Sequence, residues 1–154
     1  MTDANGSDDT PSAGTSTSED AADEAEKVSS ELYDLIGIKG KLSKTGAGVT
    51  ECSGKDREKF FKIFHPSSLV PASADQLGGA MERLKEELPK HGWKVVEYGV
   101  DNSQNKNLNL TADNDKKKYS VKIVHMAKDN PPGLSLMVVS GCYQVPDGEK
   151  VQRF

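Results

Sequence analysis

No stretch of this sequence approaches the roughly 20 consecutive apolar residues that a membrane-crossing helix needs, and no apolar signal core follows Met1. Taken alone, the second absence leads one to expect a cytosolic chain. Cysteine is scarce. The 154 residues hold two, Cys52 and Cys142, with no CxxC spacing and no further thiols to complete a zinc site or a dithiol redox motif. Histidine is scarce too: His65, His91 and His125 are the three, and none stands at metal or triad spacing from another candidate. His91 reads as a residue at the C-terminal end of a helix and His125 as one more strand residue. Phosphate-binding glycine loops, HExxH and GxSxG are all missing. The acidic pairs Asp8-Asp9 and Glu86-Glu87 fall in a polar tail and on a wet helix face, whereas a glycosidase needs one carboxyl group partly buried. The expectation is therefore a non-enzymatic chain with no catalytic residue, no metal and no cofactor.

Residues 1–27 contain no Leu, Ile, Val, Phe, Tyr or Trp. A segment with nothing to bury cannot offset its chain entropy, so it is expected to be a disordered acidic tail or linker. Eight acids against Lys27 give that segment a net charge of −7, and since the whole chain carries −4 the remainder carries +3. So nearly neutral a domain lacks the strongly basic face of a nucleic-acid binder, and no nucleic acid is expected as a partner. The one basic run, Lys116-Lys117-Lys118, follows Asp113 and Asp115 and reads as a solvated hairpin turn.

Ordered patterning begins with Ala25, Val28, Leu32, Leu35 and Ile36. Their spacing predicts an amphipathic helix over about 20–36, stopped near Gly37 and Gly40, with Glu26, Ser29, Ser30 and Asp34 on its other side. Gly46-Ala47-Gly48 reads as a flexible connection. Lys59 to Phe64 is aromatic and β-branched, a strand that Pro66 should end. Ser73-Ala74-Asp75-Gln76 matches a capping box, and Leu77, Ala80, Met81, Leu84 and Leu88 follow at helical spacing until Pro89, His91 and Gly92. From Trp93 the period falls to two. Strands are predicted around 93–98, 108–112, 119–126 and 134–140, separated by short polar turns that favour antiparallel neighbours.

The expected fold class is α+β: an antiparallel sheet of about five strands with two helices packed on one face. A single domain would span 28–147, followed by a short C-terminal tail at 148–154. The rings of Phe60, Phe61, Phe64, Trp93, Tyr98, Tyr119 and Tyr143 are expected to fill its core, in preference to lining a ligand cleft.

Cys52 lies just before the first apolar run of the folded part and Cys142 at the end of its last one. A bridge between them is the favoured reading, and two buried free thiols of a cytosolic protein are the alternative. Cys52, the helix-to-strand passage Lys90-His91-Gly92-Trp93-Lys94-Val95, the turn from Ala112 to Asp115 and the closing Ser140-Gly141-Cys142 together give a pattern that resembles a family of small secreted actinobacterial lipoproteins of unknown function. The resemblance covers about residues 28–146. It implies export, lipid anchoring upstream of the acidic tail, a place on the extracellular face of the cell membrane, and a Cys52–Cys142 disulfide. This sequence departs from the family at its N-terminus, where Met1 stands with neither a signal peptide nor a lipobox cysteine. The functional expectation is a monomeric interaction module for an unknown envelope protein or cell-wall component, touching the membrane only through a lipid anchor. A small-ligand carrier or sensor with a pocket between sheet and helices is the alternative.

Overall fold

The computed structural model describes residues 12–43, 45–104 and 106–154. Its elements in chain order are β1 (Ser12–Thr15), α1 (Ser18–Ile36), β2 (Gly40–Leu42), β3 (Gly48–Thr50), β4 (Phe60–Pro71) and α2 (Gln76–Glu87). A 3₁₀ turn (Leu88–His91), β5 (Lys94–Val100), β6 (Leu108–Asn114), β7 (Tyr119–Met126), β8 (Gly133–Ser140) and β9 (Cys142–Gln144) complete the chain.

The organising strand is β4, twelve residues long. On one side it pairs with β3 through residues 62–64 and with β2 through 69–71. On the other it pairs with β8 and then, past Gly141, with β9. β7, β6 and β5 extend the sheet antiparallel beyond β8, whereas β1 runs parallel to β9. The result is a nine-stranded mixed sheet curled into a half-barrel. This corrects the expected antiparallel sheet of about five strands with two helices on one face. Four of the strands have only three or four residues, too short for a period of two to register.

Pro66 does not end its strand. Ser68 N–H donates to Ser43 Oγ on the β2 side at 2.9 Å, and residues two apart point their N–H groups the same way. The nitrogen of Pro66 therefore faces the gap between β2 and β3, where no ladder donor is required.

α1 is N-capped by Thr17, whose Oγ1 accepts from Asp20 N–H at 3.1 Å, with Glu19 and Asp20 in the first turn. It closes at Gly37, at φ +67°, whose N–H donates to Tyr33 O. The capping box predicted for α2 does not form. Asp75 takes the N-cap position without a side-chain bond, while the Ser73 hydroxyl donates to the Asp75 carboxylate. Pro89, lacking a donor, falls in the 3₁₀ turn that follows α2.

The core lies between the helices and the curled sheet. Val28, Leu32 and Ile36 of α1 and Leu77, Met81 and Leu84 of α2 meet Phe61, Ile63, Leu110, Val121, Ile123, Leu136 and Val138. Each large side chain so buried contributes about 1.5–3 kcal/mol. Phe61 stacks on Tyr143 at 5.3 Å, and Trp93 and Tyr119 are also buried, while Phe60, Phe64 and Tyr98 are only partly covered.

The domain starts earlier and ends later than the expected 28–147. Within the segment read as a tail, Ser12–Thr15 is a strand and the helix begins at Ser18. The small residues Ala21, Ala22 and Ala25 bury against the core there, so the absence of large apolar side chains did not prevent folding. Residues 1–11 of the expected tail lie outside the described residues. The C-terminal segment is tied down as well: Ser18 Oγ donates to Gln152 O at 2.6 Å, and Val151 N–H donates to Glu58 O at 2.8 Å.

Candidate functional site

Cys52 and Cys142 form a disulfide with Cα atoms 6.0 Å apart. Cys52 follows β3 and Cys142 opens β9, so the bond fastens the loop after β3 to the start of the last strand. A bond of this kind indicates an oxidising, extracytoplasmic location. No helix among the described residues is long and apolar enough to cross a membrane.

The three histidines occupy three separate places. His91 stands exposed in the 3₁₀ turn, 3.9 Å from the Glu87 carboxylate. His125 lies half-buried on β7, where burial lowers its pKa and favours the neutral ring. His65 is buried on β4 beneath α1 and the β2–β3 loop. Its Nε2 lies 2.8 Å from Thr45 O and its Nδ1 2.6 Å from Ser29 Oγ. A carbonyl can only accept, so Nε2 donates to Thr45 O, while Nδ1 shares a hydrogen bond with the serine hydroxyl. One turn along α1, Tyr33 Oη lies 2.9 Å from Ser67 Oγ, giving a second polar rung between the same two elements. Sequence reading placed Ser29 on the wet side of the helix and missed this pair. Yet Ser29 is four residues after Ala25 and three before Leu32, which puts it on the apolar stripe. The alternation Phe61, Ile63, His65, Ser67, Leu69 likewise turns His65 inward.

Two hollows of the surface flank the β6–β7 hairpin. The turn is rigidly built: Asn114 Oδ1 accepts from Lys117 N–H at 3.0 Å, and Gly141 N–H donates to Lys118 O at 2.7 Å. The lysine run is exposed in this turn, as expected of a solvated hairpin. Lys117 reaches Glu31 of α1 at 3.0 Å, an exposed pair worth about 0–1 kcal/mol.

On the helix side of the hairpin a half-open cleft of about 340 Å³ is lined by Leu32, Leu35, Trp93, His91, Glu31 and Lys117. On the outer side a cleft of about 360 Å³ opens over the junction of β8 and β9. Its floor is Val139, Ser140 and Gly141, and its walls carry Lys62 from β4, Lys118 from the turn, and Asp113 and Asp115. Ser120 Oγ donates to Asp113 Oδ1 at 2.7 Å and orients that carboxylate. The register Asp113↔Ser120, Ser120↔Val139 and Val139↔Phe64 sets these strands side by side across the outer face. Among the described residues, no ion pair joins either lysine to either aspartate.

Compared with protein-family models, curated proteins and solved structures, the chain matches none.

Proposed function

We propose that this chain is an exported, non-catalytic interaction module of the cell envelope, acting as a monomer on an envelope protein or wall component and held to the membrane through a lipid anchor upstream. The observation that carries the reading is the Cys52–Cys142 disulfide, which encloses most of the domain and requires a compartment that keeps it oxidised. The resemblance of its Cys52, Trp93 and Ser140-Gly141-Cys142 segments to secreted lipoproteins supports the anchor.

The test is to block thiols in intact cells that produce the protein naturally, fractionate them, and digest the protein for mass spectrometry. The reading expects the chain in the envelope fraction with both cysteines protected from alkylation. Recovery in the cytosol with both thiols labelled overturns it.

A second reading, the small-ligand carrier, draws on the helix-side cleft, where Trp93 and Leu32 offer an apolar wall beside Glu31 and Lys117. Binding of a hydrophobic fluorescent probe that quenches Trp93, the single tryptophan, would favour it over the interaction module.

A further inference from the structure

The outer cleft has a chemistry of its own. Lys62 and Lys118 supply two positive charges to its wall, and Asp113 and Asp115 two negative ones, within one hollow of about 360 Å³. Surface charges of opposite sign usually settle into pairs or disperse into solvent. Here four converge on one concavity without pairing among themselves. Lys94 lies opposite Asp113 in the β5–β6 register, and among the described residues no ion pair joins these two either.

The frame that carries these charges is held firmly. Lys62 is on the long central strand, Asp113 is fixed by Ser120, and the turn bearing Asp115 and Lys118 is pinned by Asn114 and by the Gly141 N–H. The fixed backbone and the oriented Asp113 carboxylate lower the ordering cost when a ligand arrives, and the lysine side chains and Asp115 close on it through charge-assisted hydrogen bonds. A simple anion would meet the two aspartates and a simple cation the two lysines. A ligand with both a free carboxylate and a free ammonium meets a partner for each end.

The geometry points to the cleft formed by Lys62, Lys118, Asp113 and Asp115 as a binding site for a small zwitterion of the amino-acid or short-peptide class. The lysines hold the carboxylate, and the aspartates the ammonium. The floor of Val139 and Gly141 admits a small side chain. This goes beyond the module reading by naming a site and a ligand class, and it holds in purified protein wherever the protein resides.

The experiment is a titration of the oxidised full chain with alanyl-alanine, followed by ¹H–¹⁵N correlation spectra at low salt. N-acetyl-alanyl-alanine and alanyl-alaninamide, each lacking one of the two charges, serve as controls. Saturable shifts confined to the amides of Lys62 and its strand neighbours, residues 113–120 and 139–141 are expected, with binding about ten-fold weaker for either blocked peptide. Lys62→Gln and Asp115→Asn, both partly or fully exposed positions, should each weaken binding about ten-fold while the other amide shifts stay in place. Overturning results are the absence of saturable shifts with alanyl-alanine, equal binding of the blocked peptides, or unchanged binding in both variants.

Discussion

Ser29 Oγ lies 2.6 Å from Nδ1 of His65, both side chains buried between α1 and β4. The pairing has the atoms of a nucleophile and its base, but the other ring nitrogen is engaged by Thr45 O and the serine is 2% exposed. Its role in this structure is to satisfy two polar groups inside a core. Ser29→Ala would leave Nδ1 without its hydrogen-bond partner. The loss expected is about 1–3 kcal/mol of unfolding free energy, measured by urea denaturation. An active-site fluorophosphonate should fail to label the folded wild-type chain. Labelling at Ser29 would contradict the structural role.

The disulfide closes a loop with a sequence separation of 90. In the chain-entropy treatment such a closure stabilises by about 4–5 kcal/mol, less any native strain. Reduction, or the double change Cys52→Ser with Cys142→Ser, should lower the urea midpoint without changing the folded far-ultraviolet spectrum. An identical midpoint for the oxidised and reduced chains would show that the bond adds nothing to stability.

Gly48 begins β3 under the ring of Phe64. A Cβ built there would come 2.5 Å from Phe64 Cζ. Gly48→Ala must therefore displace that ring or part β3 from β4, at a cost of about 1–3 kcal/mol. Gly46→Ala, where nothing lies within 4 Å of the added carbon, should leave the melting temperature nearly unchanged. Equal effects of the two substitutions would argue against the packing of Phe64 on β3.

All four tyrosines are shifted upward from the usual phenol range. Burial is the leading cause at each, joined at Tyr98 by the negative charge of Glu82 and at Tyr119 by its hydrogen bond to Tyr143. A phenol whose folded pKa is raised stabilises the fold fully below about pH 10, its unfolded value. Above that the unfolded chain has released its proton first, so stability falls as pH rises. Tyrosinate absorbance near 295 nm should therefore appear late, above about pH 10, and rise together with loss of the folded circular-dichroism signal. Tyr119→Phe should flatten that alkaline decline. Early, independent titration of all four rings would contradict the burial of Tyr119 and Tyr143.

How much of this could be read from the sequence depends on the length of each pattern. α1 ends at Ile36 as its spacing predicts, and the four strands from Trp93 onward fall where alternation put them, because seven or eight residues are enough to display a period. The disulfide partners were legible for the simpler reason that there are only two cysteines. β1, β2, β3 and β9 were not, since Ser-Ala-Gly-Thr or Gly-Lys-Leu has no face to declare and becomes a strand only through the neighbour it pairs with. The same applies to the outer cleft. Lys62 stands some fifty residues from Asp113, and only the pairing of β4 with β8, of β8 with β7 and of β7 with β6 brings them to one wall.

The covalent loop between Cys52 and Cys142 has a mechanical consequence. Pulled by its two ends, the oxidised chain can pay out only the stretches before Cys52 and after Cys142, because force bypasses the residues between them through the sulfur bridge. Reduction would release that hidden length. At about 3.3–3.6 Å per residue it amounts to roughly 300 Å of additional contour, a step large enough to count in a single-molecule trace. Under tension from a tethered partner, most of the sheet would thus be shielded from stretching for as long as the bridge is intact.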